Sequence, residues 1–361
     1  MNGLQLSIHC ADAPGFSLQL DCELPVSRVT AIYGPSGSGK TTLLDCIAGL
    51  RQGAADNVIR MGDETWQEPG YSAPAWERRI GYVFQDARLF PHLDVRQNLQ
   101  YPQARRPEPG TVTLDQVVAW LELEDLLSRA PDTLSAGQKQ RVAIGRALLS
   151  SPRLLLLDEP LANLDHAARQ HCLRCLQRLS GALRLPMLYV SHDIEEVSQL
   201  ADHLLLLEQG RMVEQGSLLA LCSRLDTRLS HEEQAAAILT ASVKRHDNHF
   251  GLSELDVDGH GLYVTQLPHQ PGQSRRVRIP ARDVSVCRER PLDSSILNIL
   301  PVTISEIENT ESARLLLRMS LGSQFLLARV TRKSVVQLGL RVGENVYAQI
   351  KSAALLMEAS D

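Results

Sequence analysis

The chain has 361 residues, 43% of them apolar and 22% charged, which is ordinary for a folded protein and long enough for two domains. A net charge of −5 argues against nucleic acid as the main partner, and seven scattered cysteines suit a reducing compartment better than a disulfide framework. The start, MNGLQLSIHC, lacks a basic region followed by a long apolar core, and the most apolar runs (residues 154–157 and 204–207) fall far short of the roughly 20 residues that span a bilayer, so no segment is expected to cross a membrane unaided.

Residues 29–33 read as a short buried strand running into GPSGSGKT at residues 34–41. A strand, a glycine-rich loop and a helix place backbone N–H groups and a positive helix end around phosphate oxygens. Gly34, Gly37 and Gly39 let the backbone curl tightly, with Pro35, Ser36, Ser38 and Thr42 completing the cradle. Lys40 supplies charge for the β- and γ-phosphates of ATP, and Thr41 a hydroxyl for Mg²⁺. Phe16 is the candidate to stack on adenine, with burial in an antiparallel part of the fold as its alternative.

A second apolar run, residues 80–84, ends at Gln85, whose amide can reach Mg²⁺ or a water. RRPEPG at residues 105–110 breaks the chain, and helical spacing over residues 114–129 is stopped by Pro131, giving a helical insert at about residues 88–150. In LSAGQ, residues 134–138, Ser135 is placed to cap the helix that follows. LLLL at residues 154–157 then leads into Asp158, a Mg²⁺ ligand, and Glu159, a general base for the attacking water. His171, Cys172 and Cys175 sit on an otherwise amphipathic helix, where core packing is favoured over a metal site. The run at residues 187–190 ends in Ser191 and His192, and a ring N–H there can contact the γ-phosphate or the water. Continuous apolar runs of this length suit a mainly parallel sheet covered by helices, with ligands gathered at the carboxyl ends of the strands.

Beyond about residue 225 the character changes. Residues 230–244 read as a helix, Ser230 and Glu233 having capping-box spacing. From His249 onward strand-like runs alternate with turns, giving a linker and β segment over residues 229–290 and a β module over residues 291–358, after an ATPase domain at residues 1–228.

These motifs, in this order, resemble the ATP-binding subunits of ABC transporters over about residues 1–225. LSAGQ matches the signature LSGGQ, with Ala136 in place of a glycine. Gln85 matches the Q-loop, residues 161–165 (LANLD) the D-loop, and His192 the switch histidine. The resemblance implies a head-to-tail dimer in which ATP lies between the phosphate loop of one copy and Ser135, Gly137 and Gln138 of the other. SSILNIL (294–300), ARVTRKS (328–334) and VGENVYAQIKS (342–352) resemble the Mop-type, OB-like β-barrel module of molybdate importer ATPases. By that resemblance Ser295, Thr331, Ser334 and Lys351 surround a tetrahedral oxyanion, although Leu297 stands where many relatives carry an arginine.

The implied protein is the ATPase of a bacterial importer of molybdate, with tungstate as a chemical look-alike. It would work as two copies with two membrane permease subunits and a periplasmic molybdate-binding protein, on the cytoplasmic face of the inner membrane. The surface at residues 85–93, with Trp76 nearby, would receive the permease. An importer of another solute and a soluble ABC ATPase remain the alternatives.

Overall fold

Strict alternation of apolar and polar residues at the N terminus produces two half-buried strands, β1 (Gly3–Ala11) and β2 (Ser17–Pro25), paired antiparallel. They belong to a computed structural model that describes residues 3–11, 15–25, 28–105, 110, 112–268 and 270–351. The chain divides into two compact units, Met1–Gly216 and Ser217–Asp361.

In the first unit β3 (Val29–Tyr33) is buried at every position and leads into α1 (Lys40–Ala48). The antiparallel strands β4 (Val58–Met61), β5 (Glu64–Glu68) and β6 (Tyr71–Ser72) extend one edge of the sheet. Next come β7 (Ile80–Val83) and the helices α2 (Val95–Gln100), α3 (Leu114–Leu121) and α4 (Ala136–Leu148). The unit closes with β8 (Leu154–Asp158), α5 (His166–Ala182), β9 (Met187–Ser191), α6 (Ile194–Leu200), β10 (His203–Glu208) and β11 (Arg211–Ser217). The eleven strands form one sheet in the order β6-β5-β4-β1-β2-β11-β10-β3-β9-β8-β7.

The four strands expected to end in motif residues are neighbours, β3-β9-β8-β7, all parallel. Tyr33 stands opposite Ser191, Asp158 opposite Val190, and Val83 opposite Leu157. Their carboxyl ends are therefore level, which brings four loops distant in sequence to one edge. β3, β8 and β9 are buried at every position, and on one face Ile32, Leu154, Leu156 and Val190 cluster with Leu43 and Leu44 of α1.

Two sequence expectations fail on helix length. The helix expected over residues 114–129 ends at Leu121, where Glu122 turns left-handed at φ 50° and a 3₁₀ turn at Glu124–Leu126 follows. Arg141 of α4 explains the stop: its guanidinium donates to the carbonyls of Leu121 and Glu122, satisfying the groups that a continuing helix would use. Of the expected break at residues 105–110, residues 106–109 lie outside those described.

The second failure opens the second unit. After α7 (Leu218–Ser223) only a short helix forms, α8 (Arg228–His231), capped by Thr227 rather than Ser230. The Ser230 hydroxyl instead donates to the carbonyls of Leu225 and Thr227. The remainder of the expected helix is a strand, β12 (Ala236–Asp247). Ala237, Leu239, Ala241 and Val243 are buried on alternate positions, so a period of two overrides the helix preference of alanine. β12 pairs with β13 (Leu252–Val257) and β15 (Ser274–Pro280), with β14 (His260–Thr265) at the edge. A second antiparallel sheet follows from β16 (Val284–Cys287), β17 (Asn298–Ile307), β18 (Arg314–Leu321), β19 (Gln324–Thr331) and β20 (Asn345–Ile350), in the order β16-β20-β17-β18-β19, with α9 (Arg332–Leu338) between the last two in sequence. Residues of both sheets, among them Leu239, Val277, Ile304, Leu317 and Ala328, share one core. The fold class is thus an α/β ATPase-type unit with a mixed, mainly parallel sheet and helical insert, followed by an all-β, OB-like part.

Arg78 holds the end of α1 that faces away from the phosphate loop. Only 1% exposed, it donates to the carbonyls of Cys46, Ile47 and Ala73 and to Ser72 Oγ. Replacing it by methionine would take this buried cation's hydrogen bonds from the Ile47 and Ala73 carbonyls, while Cys46 O keeps only the capping N–H of Gly49. R78M is expected to destabilise the first unit by about 3 kcal/mol and to lower its Tm by roughly 6–12 °C in calorimetry.

Candidate active site

The loop leaving β3 turns into α1 through Gly39, whose φ of 100° forbids most side chains and whose absent Cβ would lie 2.7 Å from Phe16 Cζ. Lys40 is buried, and its Nζ donates to the carbonyls of Gly34 and Pro35, both at 2.9 Å, while lying 3.6 Å from Glu159. Burial pulls the lysine pKa down, and the carboxylates of Glu159 and Asp158 oppose that shift. Ser38 Oγ is buried without a hydrogen-bond partner, an orphaned donor inside the cradle. A cavity of about 470 Å³ opens above, lined by Phe16, Ser36, Gly37, Gly39, Lys40, Thr41, Thr42, Gln85 and Glu159. Phe16 packs against the antiparallel core, the alternative expected for it, and also lines the cavity.

Asp158 ends β8 and is buried, accepting from Thr41 Oγ1 at 3.1 Å. Burial pushes its carboxyl up, Thr41 resists, and the neighbouring carboxylates of Glu159 and Asp45 push further. Glu159 follows in a left-handed conformation, φ 42°, fixed where its N–H donates to Val190 O. A strained backbone at a non-glycine residue persists when its surroundings impose it. Here it aims the carboxylate between Lys40 and the ring of His192, 3.3 Å away at Nδ1. Thr41, Asp158 and Gln85 offer oxygen donors only, beside an excess of negative charge, and this set fits a hard divalent cation.

Gln85 is exposed at the cavity rim. The loop around it is tied to α4, which sequence reasoning missed. Gln140 donates to Phe84 O, and Arg146 donates to the carbonyls of Ala87 and Arg88 while lying over the Phe90 ring. Buried Asn98 accepts from Phe90 N–H and donates to three nearby carbonyls. A signal existed: Gln140 is a polar residue on the apolar face of an amphipathic helix.

At the start of α4, Ser135 accepts from Gln138 N–H and Gln138 Oε1 accepts from Ser135 N–H, a reciprocal cap. Ala136 opens the helix without a positive φ, so its extra methyl is accommodated. Gly137 is needed for packing, since a Cβ there would lie 2.9 Å from that of Ala168 on α5. Ser135, Gly137 and Gln138 do not line the cavity that holds the other motif residues.

His171 pairs with Glu122 at 2.8 Å, and Cys172 and Cys175 are buried. Arg178 already occupies Glu122, Arg141 and Arg174 raise the local positive charge around His171, and burial pushes the Cys175 thiol up to about 11. The ligand atoms of Glu122, His171 and Cys175 lie within 4.8 Å of one another, but the surrounding arginines and the raised thiol weigh against a cation there.

In the tail, the proposed oxyanion residues separate into two pairs. β20 runs antiparallel to β17 with Ile350 opposite Asn298, so Ser295, Leu297 and Lys351 gather at one end of the sheet. β19 ends at Thr331, opposite Arg314 at the start of β18, which is the other end. There Thr331 caps α9 and lies 2.7 Å from Ser334 Oγ. Ser295, Thr331 and Lys351 are exposed and Ser334 is half-buried, and within one chain the four do not share an end of the sheet.

The raised pKa of Asp158 carries a sign. A carboxyl whose folded pKa lies above the unfolded value adds stability only below the ordinary carboxylate range, and that stability is lost as pH rises through the folded value. At neutral pH its charge is a net cost to the nucleotide-free fold. D158N is expected to melt above the parent near neutrality, with the gap closing below about pH 4, as pH-series calorimetry would read it.

A family model for ABC transporters matches residues 18–162, and one for the TOBE domain matches residues 294–357. A molybdenum import ATP-binding protein of Azotobacter vinelandii is 46% identical over 349 residues, covering 96% of each chain. Its counterpart in Pseudomonas aeruginosa is 46% identical over 363 residues, covering 99% of this chain and all of the relative. Among solved structures, the ABC transporter component cbiO1 of Clostridium perfringens aligns with a TM-score of 0.51 and 26% identity, over 60% of this chain and 88% of that one. No helix among the described residues is long and apolar enough to cross a membrane. A chain with this cradle, this strand-end carboxylate pair and full-length relatives at this identity belongs to the molybdenum import ATP-binding proteins of the ABC transporter family.

Proposed function

We propose that this chain hydrolyses ATP to drive molybdate import through a membrane permease, with tungstate accepted as a chemical look-alike. The observation that carries the reading is the level placement of Lys40, Asp158, Glu159 and His192 at one sheet edge, in a chain aligned end to end with molybdenum import relatives. Lys40, now bonded to its own loop, would exchange those carbonyls for the β- and γ-phosphate oxygens. The Ser38 hydroxyl would gain the partner it lacks. Thr41 and Asp158, with Gln85, would hold Mg²⁺, which when bound neutralises charge on the phosphates. Glu159 takes the proton of the attacking water, and His192 orients the water or the γ-phosphate from the other side.

Ser135, Gly137 and Gln138 would meet the nucleotide of a second copy, because they lie outside their own chain's cavity on a capped helix N-terminus. The positive end of α4 would then face the γ-phosphate across a head-to-tail interface. Trp76, 81% exposed, and the loop beyond Gln85 are offered as the permease-docking surface, on the cytoplasmic face of the bacterial inner membrane. A periplasmic binding protein would capture the ion outside. Since one chain separates Ser295 and Lys351 from Thr331 and Ser334, any oxyanion shell using all four would need tails from two copies.

E159Q is expected to bind fluorescent ATP like the parent while phosphate release falls by roughly 100-fold or more. Undiminished release would remove Glu159 from the base role. Full-length protein titrated with molybdate in a calorimeter is expected to give heat that K351A and T331A each reduce. Silence at millimolar concentrations would leave the tail a structural part.

A further inference from the structure

Glu196 is a buried acid that the ATP chemistry above does not use. It sits on the first turns of α6, only 5% exposed, and both its oxygens are engaged. Oε2 accepts from Tyr189 Oη at 2.7 Å and from Ser191 Oγ at 2.8 Å, both on β9. Oε1 lies 3.5 Å from Arg169 Nε on α5, and the same guanidinium reaches Asp193 Oδ2 at 3.4 Å. Ser191 Oγ also accepts from Asp193 N–H, and Asp193 Oδ1 accepts from Glu195 N–H to cap α6.

These contacts close around a single residue. Ser191 and Asp193 flank His192, and each is held by Glu196 or by a group that Glu196 holds. The His192 ring itself is about half exposed, facing Glu159 at 3.3 Å. Its aim is therefore set by backbone held from behind. Burying a carboxylate is costly unless several donors and a cation meet it, and here two hydroxyls and Arg169 do so. A leucine at this position would fill the space at lower electrostatic cost but could not bind Tyr189, Ser191 and Arg169 together. Arg169 lies one turn beyond the D-loop residues 161–165, at the start of α5, so the same contacts link the His192 loop to that helix.

We propose that Glu196 is the positioning residue for His192, holding the strand-end loop so that the imidazole meets the reacting groups, with Arg169 anchoring the assembly to the D-loop helix. This rests on the reading of His192 as a participant in hydrolysis.

The test uses full-length protein, with steady-state hydrolysis, fluorescent-ATP binding and the ¹³C imidazole resonance of His192 measured on each variant. E196A is expected to lower kcat about ten-fold or more while the Kd for ATP stays within about two-fold, because the cradle is untouched. The His192 resonance is expected to shift or broaden in the same variant. E196Q, which keeps an acceptor for both hydroxyls, restores much of the loss, and Y189F falls between. Should E196A fail to fold, E196Q and the Y189F/S191A pair carry the measurement, the pair showing the full loss. If H192A is crippled but the Glu196 and Tyr189 variants keep the parental kcat and an unmoved His192 resonance, the positioning role is overturned while the His192 reading stands. If H192A hydrolyses at the parental rate, the reading of His192 falls and the inference falls with it.

Discussion

Burial of the central strands on both faces is the constraint from which the site follows. β3, β8 and β9 have no exposed position, so polar chemistry can be carried only where each strand stops. Parallel pairing makes those stops coincide. Lys40, the adjacent Asp158 and Glu159, and His192 meet because Tyr33 stands in register with Ser191 and Asp158 with Val190, although the three segments are far apart in sequence. The same arrangement confines the charges to one partly desolvated edge, where Lys40 and Asp158 are both driven away from their ordinary titration and lean on each other. A pair of this kind is stable without ligand only through internal substitutes. Lys40 uses the carbonyls of Gly34 and Pro35, and Asp158 uses Thr41.

What could be read in advance divides along the line between local and distant causes. The strands ending in motif residues, the Ser135 cap and the tolerance of Ala136 depend on neighbours within a few positions, so residue type and spacing were sufficient. Local spacing overstates the lengths of α3 and of the helix expected at residues 230–244 because what ends them is distant in sequence. Arg141 truncates α3 from another helix, and β13 and β15 draw an alanine-rich segment into a strand. Resemblance alone places the four tail residues around one ion, whereas strand direction sends two to each end of the sheet. The left-handed Glu159 is equally illegible in the sequence, since its N–H is bound to Val190 O on a strand about thirty residues away.

The signature helix illustrates how one element meets two demands. Its N-terminus presents a capped, exposed Ser135, while its body packs so closely on α5 that Gly137 admits no side chain. Further along, Gln140 and Arg146 grip the backbone on both sides of Gln85. A displacement of α4 would therefore pull on the Gln85 loop, because these guanidinium and amide bonds, two of them partly shielded from water, tie its carbonyls to the helix. The motif that faces away from its own cavity and the loop that lines that cavity are thus mechanically one piece.

Glu196 extends the same logic to the opposite side of the site. Gln85 is held by α4 and His192 by α6 and α5, so both of these strand-end loops are backed by polar bonds from a helix. Apolar packing alone would let such loops slide, since it is non-directional, whereas hydrogen bonds to named carbonyls and hydroxyls specify a register. Arg169 makes α5 common to both supports: α5 is the helix against which Gly137 packs and also the helix that holds Asp193 and Glu196. A shift of α5 would act on the signature helix and on the His192 loop at once. The polar residues behind the strand edge thus form a continuous set of contacts from the Gln85 loop through α4 and α5 to the His192 loop.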